Sequence, residues 1–273
     1  MKKSIRLLGL FLTAFVLVVL SGCTAGAVAN QNIVERVEES ENPTLIWGVK
    51  ADTNLFGLYN IAEGEIQGFD VDIAKALTEE MTGDASNAEF VEVTSKTRIP
   101  LLKNGNIDAI IATMTVNEER KKQVNFSDVY FAAGQSLLVP EDSDLNGVED
   151  LTSEHTVLAV KGSTSAQNIR EHSPEAEVLE FENYSEAFTA LQSGQGDAVT
   201  TDNAILLGII AQNPGYRLAG DPFTYEPYAI AINKGQEPFR DEVNEALDAI
   251  IENGTYAELY HKWFPEEEIP DLG

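Results

Sequence analysis

Strands and helices alternate along this chain in two blocks, and an apolar extended run follows each block. The alternation is what most narrows the possible folds. In the first block Leu45–Lys50 is a short apolar strand, and Phe69–Met81 carries Val71, Ala74, Leu77 and Met81 at helical spacing. Phe90–Val93 is a strand. Ile99–Leu102 opens a helix with Pro100 in its first turn, where proline is tolerated. Asp108–Ala112 is a strand, and Asn117 can cap a helix over Glu118–Val124. The second block has strands at Thr156–Val160, Val178–Phe181 and Asp197–Thr200, with helices at Ser163–Glu171, Glu186–Ser193 (capped by Ser185) and Asn203–Gln212. Such alternation predicts α/β architecture with mostly parallel sheets. The extended runs Gly134–Pro140 and Tyr228–Asn233 join the blocks and predict a double hinge. A last helix, Phe239–Asn253, stops at Gly254, and Tyr256, Leu259, Tyr260, Trp263 and Phe264 form an aromatic tail expected to pack on the first block.

The N-terminus has the grammar of an export signal. Lys2, Lys3 and Arg6 precede an apolar stretch, Leu7–Val19, and Leu20-Ser21-Gly22 leads into Cys23, the only cysteine. Residues 1–22 are expected to be a lipoprotein signal peptide, with Cys23 as the lipidation site that anchors the chain to a membrane outside the cytoplasm. Residues 23–42 are small, polar and acidic and predict a flexible tether, with order beginning near Pro43. The expected division is 43–136 and 228–265 for the first lobe, 137–227 for the second, and 266–273 for an acidic tail.

Composition excludes some functions. A net charge of −27 argues against nucleic acid as a partner, because phosphates would be repelled. A single cysteine rules out an intramolecular disulfide. His155, His172 and His261 are scattered singles, and no nucleophile–histidine–acid spacing or glycine-rich phosphate loop occurs, so no enzyme is expected. Asp142-Ser143-Asp144-Leu145-Asn146-Gly147 copies half of a calcium loop, but the twelfth position is Ser153 and Pro140 precedes the stretch. No metal and no cofactor is expected.

In open α/β sheets ligands bind beyond the carboxyl ends of strands. The residues there are Asp52; Ser95 and Arg98; Thr113 and Thr115, with Arg120 in the next helix; Lys161, Thr164 and Ser165; Tyr184; and Asp202. This set has the chemistry of an amino-acid site. A guanidinium pairs a carboxylate through parallel charge-assisted hydrogen bonds, which suits Arg120 to an α-carboxylate. Backbone N–H groups near Thr115, Thr164 and Ser165 add donors. Asp202, the Thr113 carbonyl and the Thr115 hydroxyl suit an α-ammonium. Arg98, Ser95 and Lys161 are left for the ligand side chain, and a second arginine there suggests a carboxylate. Each residue also has a plainer reading. Arg120 lies in the charged run Glu118–Lys122, which fits a solvated helix face. Arg98 can pair with Glu92, and Asp202 can be a helix N-cap.

Gly68-Phe69-Asp70-Val71-Asp72-Ile73, Ile107–Thr115 followed by Glu119-Arg120-Lys121-Lys122 and Phe126-Ser127-Asp128, and the pairing of Asn253-Gly254-Thr255-Tyr256 with Lys262-Trp263-Phe264 together resemble the extracellular solute-binding proteins, family 3, of polar amino-acid ABC transporters. The resemblance implies a bilobed, Venus-flytrap fold of the periplasmic-binding-protein type (type 2) with two hinge strands. It implies a monomer that captures an amino acid and delivers it to a membrane permease, with Arg120 on the α-carboxylate, Asp202 on the α-ammonium, and Thr113 and Thr115 beside them. Thr94-Ser95-Lys96-Thr97-Arg98 is most similar to the aspartate/glutamate-binding subgroup, which makes an acidic amino acid the expected ligand. Glutamine is the alternative, since Asp52 can neutralise Arg98. A dehydratase-type enzyme or a flytrap sensor on the same fold ranks below both.

Overall fold

A computed structural model describes residues 32–270 and 272. The expected signal peptide, Cys23 and the tether up to residue 31 lie outside the described residues. Order begins by Asn32 and not near Pro43. Asn32 caps a short helix α1 (Ile33–Glu38). Ile33 is buried, its N–H donates to the Gln236 side chain at 3.0 Å, and Arg36 pairs with Asp108 at 2.6 Å. The Asp108 carboxyl is held above its usual range by burial, and the Ile46 N–H and Arg36 oppose that shift.

Thirteen strands form two five-stranded sheets and one small one among the described residues. The first sheet has the order β5 (Ala88–Glu92), β1 (Leu45–Val49), β6 (Ala109–Ile110), β13 (Glu226–Ile232), β7 (Asn125–Ala133). The second has the order β10 (Glu177–Phe181), β9 (Thr156–Val160), β11 (Ala198–Asp202), β8 (Gln135–Pro140), β12 (Tyr216–Ala219). The plan is the same twice. Three parallel strands are followed by an antiparallel fourth and by a fifth antiparallel to the fourth. The fold is α/β and bilobed. The chain leaves the first sheet from its fifth strand, β7, and enters the second at its fourth, β8; it returns from β12 to β13 in the same way. The apolar runs expected to be the hinges are therefore full sheet strands. The crossings are shorter: Gly134 on the way out, and residues 220–225 on the way back. They are tied together by hydrogen bonds from the Gln135 N–H to Thr224 Oγ1 (3.0 Å) and from the Phe223 N–H to the Gln135 carbonyl (2.9 Å).

A three-stranded sheet, β2 (Asp52–Thr53), β3 (Gly57–Asn60) and β4 (Glu65–Gln67), sits between β1 and the first long helix. That helix, α2 (Phe69–Thr82), buries Phe69, Ile73 and Leu77 on one stripe. The short helices α3 (Arg98–Lys103) and α4 (Glu118–Lys121) follow β5 and β6. In the second lobe α5 (Ser165–His172), α6 (Tyr184–Gln192) and α7 (Asn203–Gln212) follow their strands. The cap of α6 is Asn183, whose side chain accepts from the Glu186 N–H, and not Ser185 as expected. The C-terminal helices are α8 (Glu237–Glu252) and α9 (Thr255–Trp263). The aromatic tail is α9 itself, and it packs on α2. Phe69 meets Tyr256, Tyr260 and Phe264 with ring centroids 5.9, 5.9 and 5.5 Å away. Trp263 Nε1 and Lys262 Nζ both donate to Asp72. In the segment expected to be an acidic tail, Glu266 to Glu268 are exposed while Leu272 packs against the core.

The half calcium loop is a turn after β8, and Arg217 Nη2 donates to its Ser143 and Leu145 carbonyls at 2.8 and 2.9 Å. A cation of the chain itself already holds those oxygens. Among the described residues no helix is long and apolar enough to cross a membrane.

Phe69 carries the packing of α2, α9 and β7 at once. Phe69→Ala should cost about 3–5 kcal/mol, the usual range for deleting a buried aromatic ring. Urea unfolding of the variant would check it, and a loss below about 1 kcal/mol would show that the cluster collapses around the gap.

Candidate functional site

The carboxyl ends of both sets of parallel strands face each other, and the polar side chains between them are buried. Thr113, just past β6, has φ +47, a left-handed conformation that a β-branched residue avoids. It is held there from both sides. Its N–H donates to Asp70 Oδ2 at 3.0 Å, and its carbonyl accepts from Arg98 Nη1 at 3.2 Å. Arg98 Nη1 also donates to the Ala112 carbonyl at 2.6 Å. Burial, then the neighbouring Arg120, lowers the Arg98 guanidinium to about 9, so it stays charged at neutral pH. Asp70 is buried and also accepts from the Tyr130 hydroxyl at 2.8 Å; burial raises its carboxyl to about 7.

Arg120 is turned inward while its neighbours stay out. Asn117 caps α4 by accepting the Arg120 N–H at 2.8 Å, and Lys121 pairs with Glu118 on the surface. The Arg120 guanidinium donates to the Thr115 carbonyl at 2.7 Å and, across the cleft, to the Gly162 carbonyl at 3.1 Å. The solvated-face reading of this residue therefore fails. Asp202 ends β11 at the N-cap position of α7 but makes no side-chain cap bond. Its Oδ2 accepts from the Tyr228 hydroxyl at 2.5 Å, and its Oδ1 is buried without a partner. Burial, with Glu226 adding to it, raises the Asp202 carboxyl to about 7, against the pull of Tyr228 and Arg120.

Tyr184 is buried against the cleft, with its hydroxyl 3.1 Å from Thr201 Oγ1. Thr115 is also buried, and Thr164 donates to Glu226 at 3.1 Å. Five buried side-chain polar atoms have no partner among the described residues: Arg98 Nε, Thr113 Oγ1, Ser165 Oγ, Asp202 Oδ1 and Ser136 Oγ. The first four belong to residues the sequence places at the site. Each such atom costs about 1–3 kcal/mol if nothing bonds it, which marks the cleft as built to receive polar groups.

Two expectations fail. Lys161 does not reach the cleft: its ammonium pairs with Glu182 at 2.5 Å on the rim, where Lys96 of the first lobe meets the same carboxylate at 3.2 Å. Asp52 does not neutralise Arg98. Its Oδ2 accepts the Tyr184 N–H across the cleft at 3.0 Å, and its charge acts on Lys50. Lys50, which sequence reasoning left inside a strand, is fully buried. It donates to Ser95 Oγ at 2.9 Å and lies 4.9 Å from the centre of the Tyr184 ring. Burial lowers its ammonium to about 8. Glu226 and Tyr228 were also missed. A lysine closing an otherwise apolar strand was the one signal that could have found Lys50.

A cavity of about 560 Å³ opens on Ser95, Arg120, Gly162 and Thr164. A larger one, about 710 Å³, lies between β7 and α8, away from the strand ends. The buried unpaired polar atoms, not size, decide for the cleft between the lobes.

The lobes touch through glycines. A Cβ on Gly162, whose φ is +79, would lie 2.6 Å from the Ser95 carbonyl oxygen. A Cβ on Gly208, inside α7, would lie 2.7 Å from the Asn54 carbonyl oxygen, and Asn54 Nδ2 donates to the Gly208 carbonyl at 2.8 Å. Arg98 and Asp202 are at most 5% exposed, so a ligand reaches them only when the lobes part.

This geometry agrees with the comparisons to known proteins. Residues 45–266 match the model of the bacterial extracellular solute-binding proteins, family 3, and the chain belongs to that family. It is 54% identical to the ABC transporter glutamine-binding protein GlnH of Bacillus subtilis, over 94% of this chain and 96% of that one. It is 59% identical to a glutamine-binding protein of Geobacillus stearothermophilus, over 76% and 78%. Among solved structures, an ancestral arginine-binding protein bound to glutamine superposes with a TM-score of 0.77 at 42% identity, covering 82% of this chain and 98% of that one.

Gly208→Ala separates closure from folding. Alanine in a helix interior is favoured over glycine by about 1 kcal/mol, so the ligand-free protein should gain thermal stability. The new Cβ would meet Asn54 only in the closed form, so solute affinity should fall at least about tenfold. Calorimetry and small-angle scattering with and without solute would check this, and an unchanged affinity would remove the Asn54–Gly208 contact from closure.

Proposed function

We propose that the chain is the extracytoplasmic solute-binding component of an amino-acid ABC importer, that it takes glutamine, and that it is not an enzyme. In this reading the α-carboxylate lies on Arg120, whose guanidinium keeps N–H donors beyond the two it spends on Thr115 and Gly162, and on the start of α5 at Thr164 and Ser165. The α-ammonium lies on the free Oδ1 of Asp202, with Thr113 and Thr115 beside it. The side chain points toward Ser95, Arg98, Asp52 and Tyr184. A ligand that touches both lobes stabilises the closed form, because only that form offers both sets of contacts. The closed form is what a membrane permease would recognise, with the protein acting as a monomer tethered through a lipid on Cys23.

The observation that carries the choice of glutamine is the position of Asp52. In this reading its carboxylate lies at the side-chain end of the cleft, while Arg98 is committed through Nη1 to the Ala112 and Thr113 carbonyls. A ligand carboxylate would meet an acid there. An amide supplies N–H donors to Asp52 and a carbonyl oxygen to the cationic side. The two relatives named for glutamine support this choice over the acidic amino acids expected from the segment around Ser95 and Arg98.

Titration of ligand-stripped protein should give glutamine the highest affinity among L-glutamine, L-glutamate, L-aspartate and L-arginine. Asp52→Ala should weaken glutamine by about 10- to 100-fold, as for loss of a hydrogen bond to a charged group. Glutamate binding best would return the acidic reading and leave the α-group clamp intact.

Affinity should also depend on pH through Asp202. Burial in the closed cleft raises its carboxyl to about 7, and an α-ammonium favours the ionised form. Where the empty cleft keeps Asp202 buried, binding releases a proton below pH 7, and affinity falls as pH drops from 7 toward 5.5. Calorimetry at pH 6.5 in two buffers of different ionisation enthalpy should show that release. No buffer dependence would separate Asp202 from the ammonium.

A further inference from the structure

We infer that Lys50 sets the side-chain selectivity of the cleft, donating to the carbonyl oxygen of a neutral amide and excluding amino acids with a cationic side chain. The inference rests on the amino-acid reading above. Lys50 is fully buried at the carboxyl end of β1, a place where a lysine is kept only for a purpose. Its ammonium has three donors, and Ser95 Oγ takes one of them at 2.9 Å. The Tyr184 ring of the other lobe lies over it at 4.9 Å. The N–H of that same Tyr184 is held by Asp52 Oδ2 at 3.0 Å. An acceptor and a donor of opposite charge therefore flank one residue of the facing lobe, two positions apart in sequence. Among the described residues they form no direct ion pair with each other. Asp52 Oδ1 also accepts from Thr53 Oγ1 at 3.1 Å, and each carboxylate oxygen keeps a second acceptor site for a ligand donor.

A carboxamide matches this pair, with its nitrogen on Asp52 and its oxygen on Lys50. A guanidinium or ammonium matches Asp52 alone and meets Lys50 as a like charge. The other charged groups that act on Lys50 are Asp70, Arg98 and Arg120. Asp70 is spent on Thr113 and Tyr130, Arg98 gives Nη1 to two carbonyls, and Arg120 spans to Gly162. Lys50 is the cation on which the Asp52 charge acts, and two of its three donors remain after Ser95 takes one. A unit charge a few ångströms from a ligand cation, at the effective dielectric of a protein site, changes affinity by about 100-fold.

The test is calorimetric titration of L-glutamine and L-arginine into ligand-stripped wild type, Lys50→Met, Lys50→Gln and the double variant Lys50→Met/Asp52→Asn, with thermal melts to confirm folding. Wild type should bind glutamine and discriminate against arginine. Either single variant should weaken glutamine at least about tenfold and strengthen arginine, moving their ratio by about 100-fold. The double variant should lose the arginine binding gained, because Asp52 supplies it. General damage would lower both ligands together, so an unchanged ratio in either folded single variant overturns the inference. Wild type binding arginine as tightly as glutamine overturns it without any variant. Wild type that binds no amino acid removes the proposed function instead, and is told apart because it fails before any substitution is made.

Discussion

The buried carboxylate of Asp70 is the interaction on which the first lobe's side of the cleft depends. It accepts from the Tyr130 hydroxyl and the Thr113 N–H, and so ties α2, β7 and the turn after β6 to one point. The turn is left-handed at a threonine, a conformation that persists only when its surroundings over-determine it. With Thr113 so placed, its carbonyl and that of Ala112 converge on Arg98 and draw a guanidinium into a buried position. The two residues before Asp70 serve the same construction. Gly68 lets the Phe56 carbonyl approach to where a Cβ would lie 2.0 Å away, and Phe69 fills the aromatic core beneath. Three consecutive residues thus supply the clearance, the packing and the latch.

The site is divided between two lobes, and polar groups of both meet across the cleft. The polar contacts across the cleft are Asp52 with the Tyr184 N–H, Arg120 with the Gly162 carbonyl, Asn54 with the Gly208 carbonyl, Tyr228 with Asp202, Thr164 and Asn168 with Glu226, and Lys96 with Glu182 on the rim. The rim pair is half exposed, and such pairs contribute about 0–1 kcal/mol. The Asn54–Gly208 bond, between neutral groups, contributes about 1 kcal/mol, and each bond to a charged group about 1.5–3 kcal/mol. Beside these contacts, buried polar atoms of Arg98, Thr113, Ser165 and Asp202 are left unpaired. A ligand that bonds those atoms favours the closed form, because only that form brings them together.

Most of the fold was legible, because strand and helix periods differ and the blocks alternate cleanly; α7, from Asn203 to Gln212, falls where the pattern puts it. The hinges were less so. Gly134–Pro140 and Tyr228–Asn233 look like connectors because they are apolar throughout, but a strand buried on both faces has that same composition. The site divided along similar lines. Which residues follow a strand is a matter of sequence, and that placed Arg120 and Asp202. Which way each side chain points is not. Lys161 and Lys50 both close apolar strands, yet one reaches Glu182 on the rim and the other is buried 4.9 Å from the centre of the Tyr184 ring. In β1 Gly48 and Val49 are both buried, so alternation does not say which face Lys50 takes. Glu226 was hidden because its role depends on the return crossing, which brings Thr164 and Asn168 of the other lobe to it.

The charge of the whole chain and the charge of the cleft bear differently on the ligand. A net charge of −27 works against any anion approaching from solution, although its reach is cut to about 8 Å at physiological salt. Inside the cleft Lys50, Arg98 and Arg120 face Asp52, Asp70, Asp202 and Glu226, and burial holds Asp70 and Asp202 near the point of losing their charge. The buried set is therefore close to neutral. A zwitterion with an uncharged side chain adds no net charge to it and meets a partner for each of its own poles. A side chain carrying a full charge of either sign adds a net charge that the buried set does not offset. On the reading proposed here, selectivity for an amide comes from this balance as much as from any single hydrogen bond.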